Sequence, residues 1–226
     1  SVDLARLRSA RLPNTLAGVL RARLALLPAA ERRTLQRASV IGPVFLEPAL
    51  LALGAATAQT LNALLHRELT LNHRAPGVDD TRQFGFKHQL LQELTYGTVP
   101  TLTRRALHGK LARWLVAGWT GVHANDVLGL SAHHFELAGD RSRAAEQHAL
   151  AAEHAVSRYA AEAVFDHVER GLALLDALPA STAHRELQWR LRMTRVFVLE
   201  TRGQHARHLT DIDALNFFKN EFGTMG

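Results

Sequence analysis

The segment Phe86-Lys87-His88-Gln89-Leu90-Leu91-Gln92-Glu93 holds the residues of this sequence whose types and spacing point most directly to chemistry. A stretch of alternating polarity runs up to Lys87 and a helical apolar pattern begins at Leu90, so His88 is expected at a helix N-terminus. The first backbone N–H groups there lack intrahelical partners and the helix dipole favours an anion. Lys87 adds positive charge beside it. The plainer reading of the same spacing is a histidine that caps or packs at a strand–helix junction.

Other candidates are weaker. A helical metal site needs two histidines one turn apart on one face, with a third ligand nearby. His133 and His134 are adjacent and point apart on a helix, and His205 and His208 are three apart without HExxH or clustered carboxylates. Ordinary surface or core histidines account for both. Asp79-Asp80 falls in turn chemistry, where solvation is sufficient. The sequence contains no GxxxxGK[ST], GxGxxG or GxSxG, and Gly109-Lys110 sits inside an amphipathic helix and is followed by Leu111. A site assembled from His133, His134 and Glu136 is the remaining enzymatic reading, and no nucleophile–base pair supports it. The chain is therefore read as non-catalytic, with no metal site and no cofactor of its own.

The elements that position these residues are mostly helical. Leu16, Val19, Leu20, Leu24 and Leu27 recur at helical spacing after a potential N-cap at Asn14 or Thr15, and Pro28 ends that helix and opens the next, over 28–41, which stops at Gly42-Pro43. Shorter helices are expected at 47–54 and 57–67, so that three helices with short connections make a helix-turn-helix core. Leu69 and Leu71, the turn residues 75–80, and Phe84 and Phe86 then describe one β-hairpin, a wing. Helices resume at 88–97, 101–119, 125–138, 142–157, 161–178 and 183–202. Val164, Val168, Leu172, Leu175 and Leu178 form one apolar stripe. The 183–202 helix carries two, one with Leu187, Leu191, Thr194 and Val198 and one with Trp189, Met193 and Val196, as expected of a helix between neighbours in a stack. Residues 145–178 fit one tetratricopeptide unit, with small Ala151, Ala152 and Gly171 at close-approach positions and with His148 and Ala155 where the signature aromatic residues would stand. A plain helical bundle is the competing architecture. The fold class is mainly α: a winged-helix domain over 1–98, tetratricopeptide-like repeats over 99–208, and a tail over 209–226 of different texture.

Composition narrows the setting. With no cysteine, disulfides and thiolate chemistry are excluded, and 47% hydrophobic residues suffice for a packed core. The net charge of +6 comes almost entirely from arginine, since Lys87, Lys110 and Lys219 are the only lysines. Those arginines are scattered at helical spacing and read mainly as solvated faces. No membrane span or secretory signal is legible, so a cytoplasmic location with no membrane partner is expected. The chain starts at Ser1 and its methionines are Met193 and Met225, which reads as a piece of a longer protein.

Several stretches resemble one family. Leu12-Pro13-Asn14-Thr15-Leu16, Leu20-Arg21-Ala22-Arg23-Leu24, Leu27-Pro28 with Glu31-Arg32, and Leu35 to Gly42 are similar to the region that follows the nucleotide domain in bacterial signal-transduction ATPases with numerous domains. These include the AAA-like segments of adenylate cyclase-type and transcriptional-activator-type regulators. Phe86-Lys87-His88 and Ala132 to Asp140 continue the resemblance in the same order, over about residues 12–202. It implies a winged-helix regulatory domain leading into a tetratricopeptide-like sensor or scaffold. It also implies that His88, with Lys87 beside it, senses ADP or ATP held by an upstream nucleotide-binding domain of the same chain. Plant and animal relatives carry aspartate after that histidine, where this sequence has Gln89.

The function expected is a non-catalytic regulatory and protein-interaction module of an ATP-dependent signalling switch, with a protein or small-molecule signal received on the helical repeats. The alternative is a DNA-binding winged-helix transcription regulator. Its recognition helix would be Thr57–Arg67, in which Gln59 and Asn62 could read base edges but the one arginine stands at the far end.

Overall fold

The computed structural model describes residues 14–54, 58–73, 82–118 and 124–201. Asp79, Asp80, His205, His208 and the 209–226 tail lie outside them. The described residues are mainly helical, with one small antiparallel sheet, and the chain divides into two compact units, 1–107 and 108–226. The division expected from the sequence, at 98/99, precedes the helix within which this one falls.

The first unit runs α1 (Asn14–Ala25), α2 (Ala29–Ile41), β1 (Val44–Leu46), α3 (Glu47–Ala52), α4 (Ala58–His66), β2 (Thr70–His73), β3 (Gln83–Phe86) and α5 (Gln89–Gly97). Pro28 is the N-cap of α2, its φ of −51° already suited to the helix that follows. Gly42 ends that helix at φ 149°, a conformation that side chains with a Cβ avoid. The core gathers Leu20, Leu24, Leu35, Phe45, Leu50, Leu61, Leu64, Phe84 and Leu91.

Two expectations are corrected here. The sheet has three strands in the order β1-β3-β2, so the hairpin β2–β3 is not alone: Val44, Phe45 and Leu46 pair with Gly85, Phe84 and Gln83. A three-residue strand is too short to show period-two alternation, and its identity comes from the partner it pairs with. On α1 the buried stripe is narrower than the apolar one. Leu20 and Leu24 are buried, whereas Leu16 and Val19 are 44% and 57% exposed.

Helix α4 closes in a Schellman motif. Leu69 N–H donates to Leu64 O at 3.1 Å and Glu68 N–H to Leu65 O at 2.9 Å, with Glu68 in the left-handed region at φ 55°. This turn delivers the chain into β2 and places the Glu68 carboxylate next to the end of β3.

The second unit takes up the C-terminal part of α6 (Thr101–Val116) and then α7 (Ala124–Ala138), α8 (Arg141–Val156), α9 (Ala161–Asp176) and α10 (Thr182–Thr201). Helix α8 packs against both α7 and α9, and α10 against α8 and α9. Close approach depends on small residues: Ala145, Ala149, Ala152, Ala155 and Ala161 are buried among Val164, Val168, Leu175, Leu187 and Leu191. Gly139, at φ 80°, closes α7 in a second Schellman motif, and the Asp140 side chain then caps α8 by accepting from Arg143 N–H at 3.3 Å. The two-sided burial expected for the last helix is not observed. Leu187, Leu191, Val196 and Val198 are buried, but Trp189 and Met193 are 43% and 40% exposed, and so is Phe197 beside them.

Helix α8 ends in a third Schellman turn, in which Ala160 N–H donates to Ala155 O at 3.1 Å. The left-handed position is held by Tyr159 at φ 57°, its side chain 95% exposed. A bulky L residue there is strained by about 1–2 kcal/mol, and glycine returns part of that gain through its freer unfolded chain. Tyr159→Gly should therefore raise stability by about 1 kcal/mol, measured as a shift in the urea midpoint at unchanged slope.

Candidate functional site

Strand β3 passes into α5 through Lys87 and His88. His88 is the N-cap of α5, with an extended backbone (φ −139°, ψ 136°), and its side chain makes no capping hydrogen bond. The ring is exposed. The N–H of Leu91 donates to the His88 carbonyl at 3.0 Å, which closes the first turn of the helix. An imidazole thus stands outward at the positive end of a helix.

The other two residues of the motif are engaged elsewhere. Lys87 Nζ donates to Glu68 Oε2 at 2.6 Å. The Glu68 carboxyl is held below the usual carboxylate range first by that hydrogen bond, then by the Lys87 charge and by Arg23. The positive charge expected beside His88 is therefore neutralised within the protein. Gln89 Nε2 donates to Glu93 Oε1 at 3.0 Å, one turn along α5, and so does not orient the histidine.

His133, His134 and Glu136 do not converge. His133 is exposed and His134 is buried. The His134 ring stacks on His108 of α6 with Nδ1 atoms 3.0 Å apart and centroids 5.1 Å apart. Burial pushes the His134 imidazole down to about 3, and its neighbours His108 and His133 act in the same direction. Glu136 turns instead to α8, where its Oε1 lies 2.7 Å from His148 Nε2, and His148 Nδ1 is 3.0 Å from His167 Nδ1 on α9. Burial lowers His148 against the opposing pull of Glu136, and it lowers His167 with help from His148.

Nothing in the spacing of His108, His148 and His167 along the sequence points to chemistry. One signal was present: His148 stands where a tetratricopeptide unit carries a large aromatic residue, on the helix face that must be buried. Among the described residues no group of three or more His, Asp or Glu is placed to hold a metal ion.

The second unit also has an apolar groove of about 380 Å³, lined by Val156, Tyr159, Val164, Phe197 and Val198 among others. In the first unit, α4 exposes Gln59 and Asn62. Arg67, just beyond it, lies with Nε 2.7 Å from Glu31 Oε2, and its carbonyl accepts from Arg23. No helix among the described residues is long and apolar enough to cross a membrane. Comparison with protein-family models, with curated proteins and with solved structures finds no match to this chain.

Proposed function

We propose that this chain is a regulatory and interaction module of a larger cytoplasmic ATP-dependent switch. The first unit would act as a winged-helix sensor of nucleotide state, and the second as a tetratricopeptide-like scaffold for a protein or small-molecule signal. The observation that carries this reading is His88, exposed at the N-terminus of α5 with its ring unused for capping. Such a ring can donate to a phosphate of ADP on a preceding nucleotide-binding domain, and the helix end favours the same anion. Because Lys87 is paired with Glu68, the sensing role falls on His88 and the backbone of α5. The element order α2, α3, α4 and then β2–β3 supports the winged-helix assignment, and the small-residue packing of α8 against α9 supports the repeat-like one.

Duplex DNA is the alternative partner. Gln59 and Asn62 favour it, while the engagement of Arg67 by Glu31 and the nearby Glu68 carboxylate weigh against a phosphate-binding face. Calorimetric titration of ADP into a chain extended upstream through a nucleotide-binding domain tests the main reading. His88→Ala is expected to weaken ADP binding about tenfold, the loss of one hydrogen bond to a charged group. Equal binding by both proteins would overturn the sensor role, and salt-dependent binding of a mixed-sequence duplex would favour the alternative.

A further inference from the structure

Helix α10 (Thr182–Thr201) packs one face against α8 and α9 and leaves another uncovered among the described residues. Trp189, Met193 and Phe197 follow one another at i, i+4 and i+8 and make one exposed stripe along that second face. Single exposed apolar residues are ordinary, but three large ones in a row mark a surface made to be covered. The apolar surface widens where the chain leaves the helix, since Phe197, Val198 and Thr201 also line the groove of about 380 Å³.

The sequence that follows α10 has the residues to cover this stripe. Residues 202–208 contain Gly203 and nothing more apolar than alanine, which suits a connection between helices. The texture changes at Leu209. Ile212, Leu215, Phe218 and Phe222 recur at i, i+3, i+6 and i+10, one face of a helix. Thr210 suits its N-cap, Asp211 and Asp213 its first turn, and Gly223 its stop. A solvated tail has no use for such an apolar load: Phe217, Phe218 and Phe222 are three of the nine phenylalanines of the chain.

Dimensions and charge agree. At 1.5 Å per residue the stripe from Trp189 to Phe197 covers about 12 Å of helix axis, and residues 211–222 would cover about 18 Å. The connections 157–160 and 177–181 join α8 to α9 and α9 to α10, and 202–208 is longer than either. Antiparallel packing would set Leu215 opposite Phe197, Phe218 opposite Met193 and Phe222 opposite Trp189. Helix α10 carries Arg185, Arg190, Arg192 and Arg195 against Glu186 and Glu200, whereas 209–222 carries Asp211, Asp213 and Glu221 against Lys219. A basic surface thus meets an acidic segment.

We propose that residues 209–222 fold as a helix and dock antiparallel on the exposed Trp189–Met193–Phe197 stripe, completing the helical pair that α10 begins. The inference uses no residue of the nucleotide-sensing or DNA-reading surfaces, so its failure and theirs are separate results.

A chain without cysteine allows a clean test by disulfide trapping. In the full chain, Met193→Cys with Phe218→Cys places two thiols on facing positions, and Met193→Cys with Asn216→Cys puts the second thiol on the far face of the docked helix. Under copper–phenanthroline oxidation the first pair is expected to close within one chain about tenfold faster than the second, because a disulfide needs Cα atoms within about 7 Å. Equal rates for the two pairs would overturn the proposal. Disulfides formed only between chains would overturn it as well and would assign the stripe to a second copy. Hydrogen exchange of the otherwise natural chain gives a readout without thiols. Phe218→Asp should make opening of the α10 amides over 189–201 about tenfold more frequent, the effect of uncovering one buried phenylalanine. Unchanged protection of α10 in that variant would also refute the docking.

Discussion

Phe84→Ala is expected to destabilise the first unit by about 4 kcal/mol, within the range for emptying a buried phenylalanine site. Phe84 is 1% exposed and sits in β3, the central strand, paired with Phe45 on one side and Asn72 on the other. Its ring stacks on Phe45 at 5.9 Å, and Phe86 meets Phe45 edge-on at 5.8 Å. Truncation removes the buried surface and the aromatic contact together. Both neighbouring strands are short, and neither can follow the missing ring inward without leaving its ladder. Urea unfolding followed by hydrogen exchange of the β3 and α4 peptides measures the loss. A change below about 1.5 kcal/mol would mean that the site collapses around the deletion and that the three aromatic rings are not the keystone of this core.

The second large effect concerns a residue with no side chain. Gly171→Val should destabilise the second unit by about 3 kcal/mol, the upper part of the usual range for overpacking. A Cβ at Gly171 would stand 2.8 Å from Leu191 Cδ1, 3.2 Å from Leu191 Cδ2 and 3.5 Å from His148 Cβ. Leu191 is 1% exposed, so it yields only by displacing other core residues. Valine adds two methyl groups to that collision, and its β-branch fixes where they point. Gly171→Ala should be far milder, because alanine in a helix gains about 1 kcal/mol over glycine and offsets part of the clash. In a Leu191→Ala background the valine has room, so the double variant should lose much less than the sum of the single ones. Tryptophan fluorescence suits the measurement, since Trp114 and Trp189 belong to the second unit. Additive losses would show that Leu191 is not what the glycine accommodates.

Much of the secondary structure was legible because local rules act alone over a few residues. The helix ended by Pro28, the next one closed by Gly42, and the polar–apolar alternation around Phe84 and Phe86 need no knowledge of the rest of the chain. The strand β1 was not legible, because three residues carry no period and become a strand only by pairing with β3. The exposed second face of α10 misled for a related reason. Trp189 and Met193 have the spacing of a core stripe, but spacing does not say whether a neighbour is there to cover it.

The candidate site divides in the same way. That His88 stands at the start of a helix follows from the change of period after Lys87, and it is found there. That Lys87 turns to Glu68, nineteen positions away, depends on a left-handed turn at the end of α4 and on the strand register that brings the two together. The histidines depend still more on assembly. His108, His134, His148 and His167 come from four helices, and no spacing within any one segment brings them together. The sequence by itself determined a mainly helical chain, a hairpin between helices and a histidine at a helix start, because backbone propensity, capping and periodicity are local. Only the tertiary structure decided which imidazoles meet, that the Glu136 carboxylate faces His148 and that one ring nitrogen, His134 Nε2, is buried without a hydrogen bond, because burial and electrostatic surroundings are properties of neighbours brought in from distant parts of the chain.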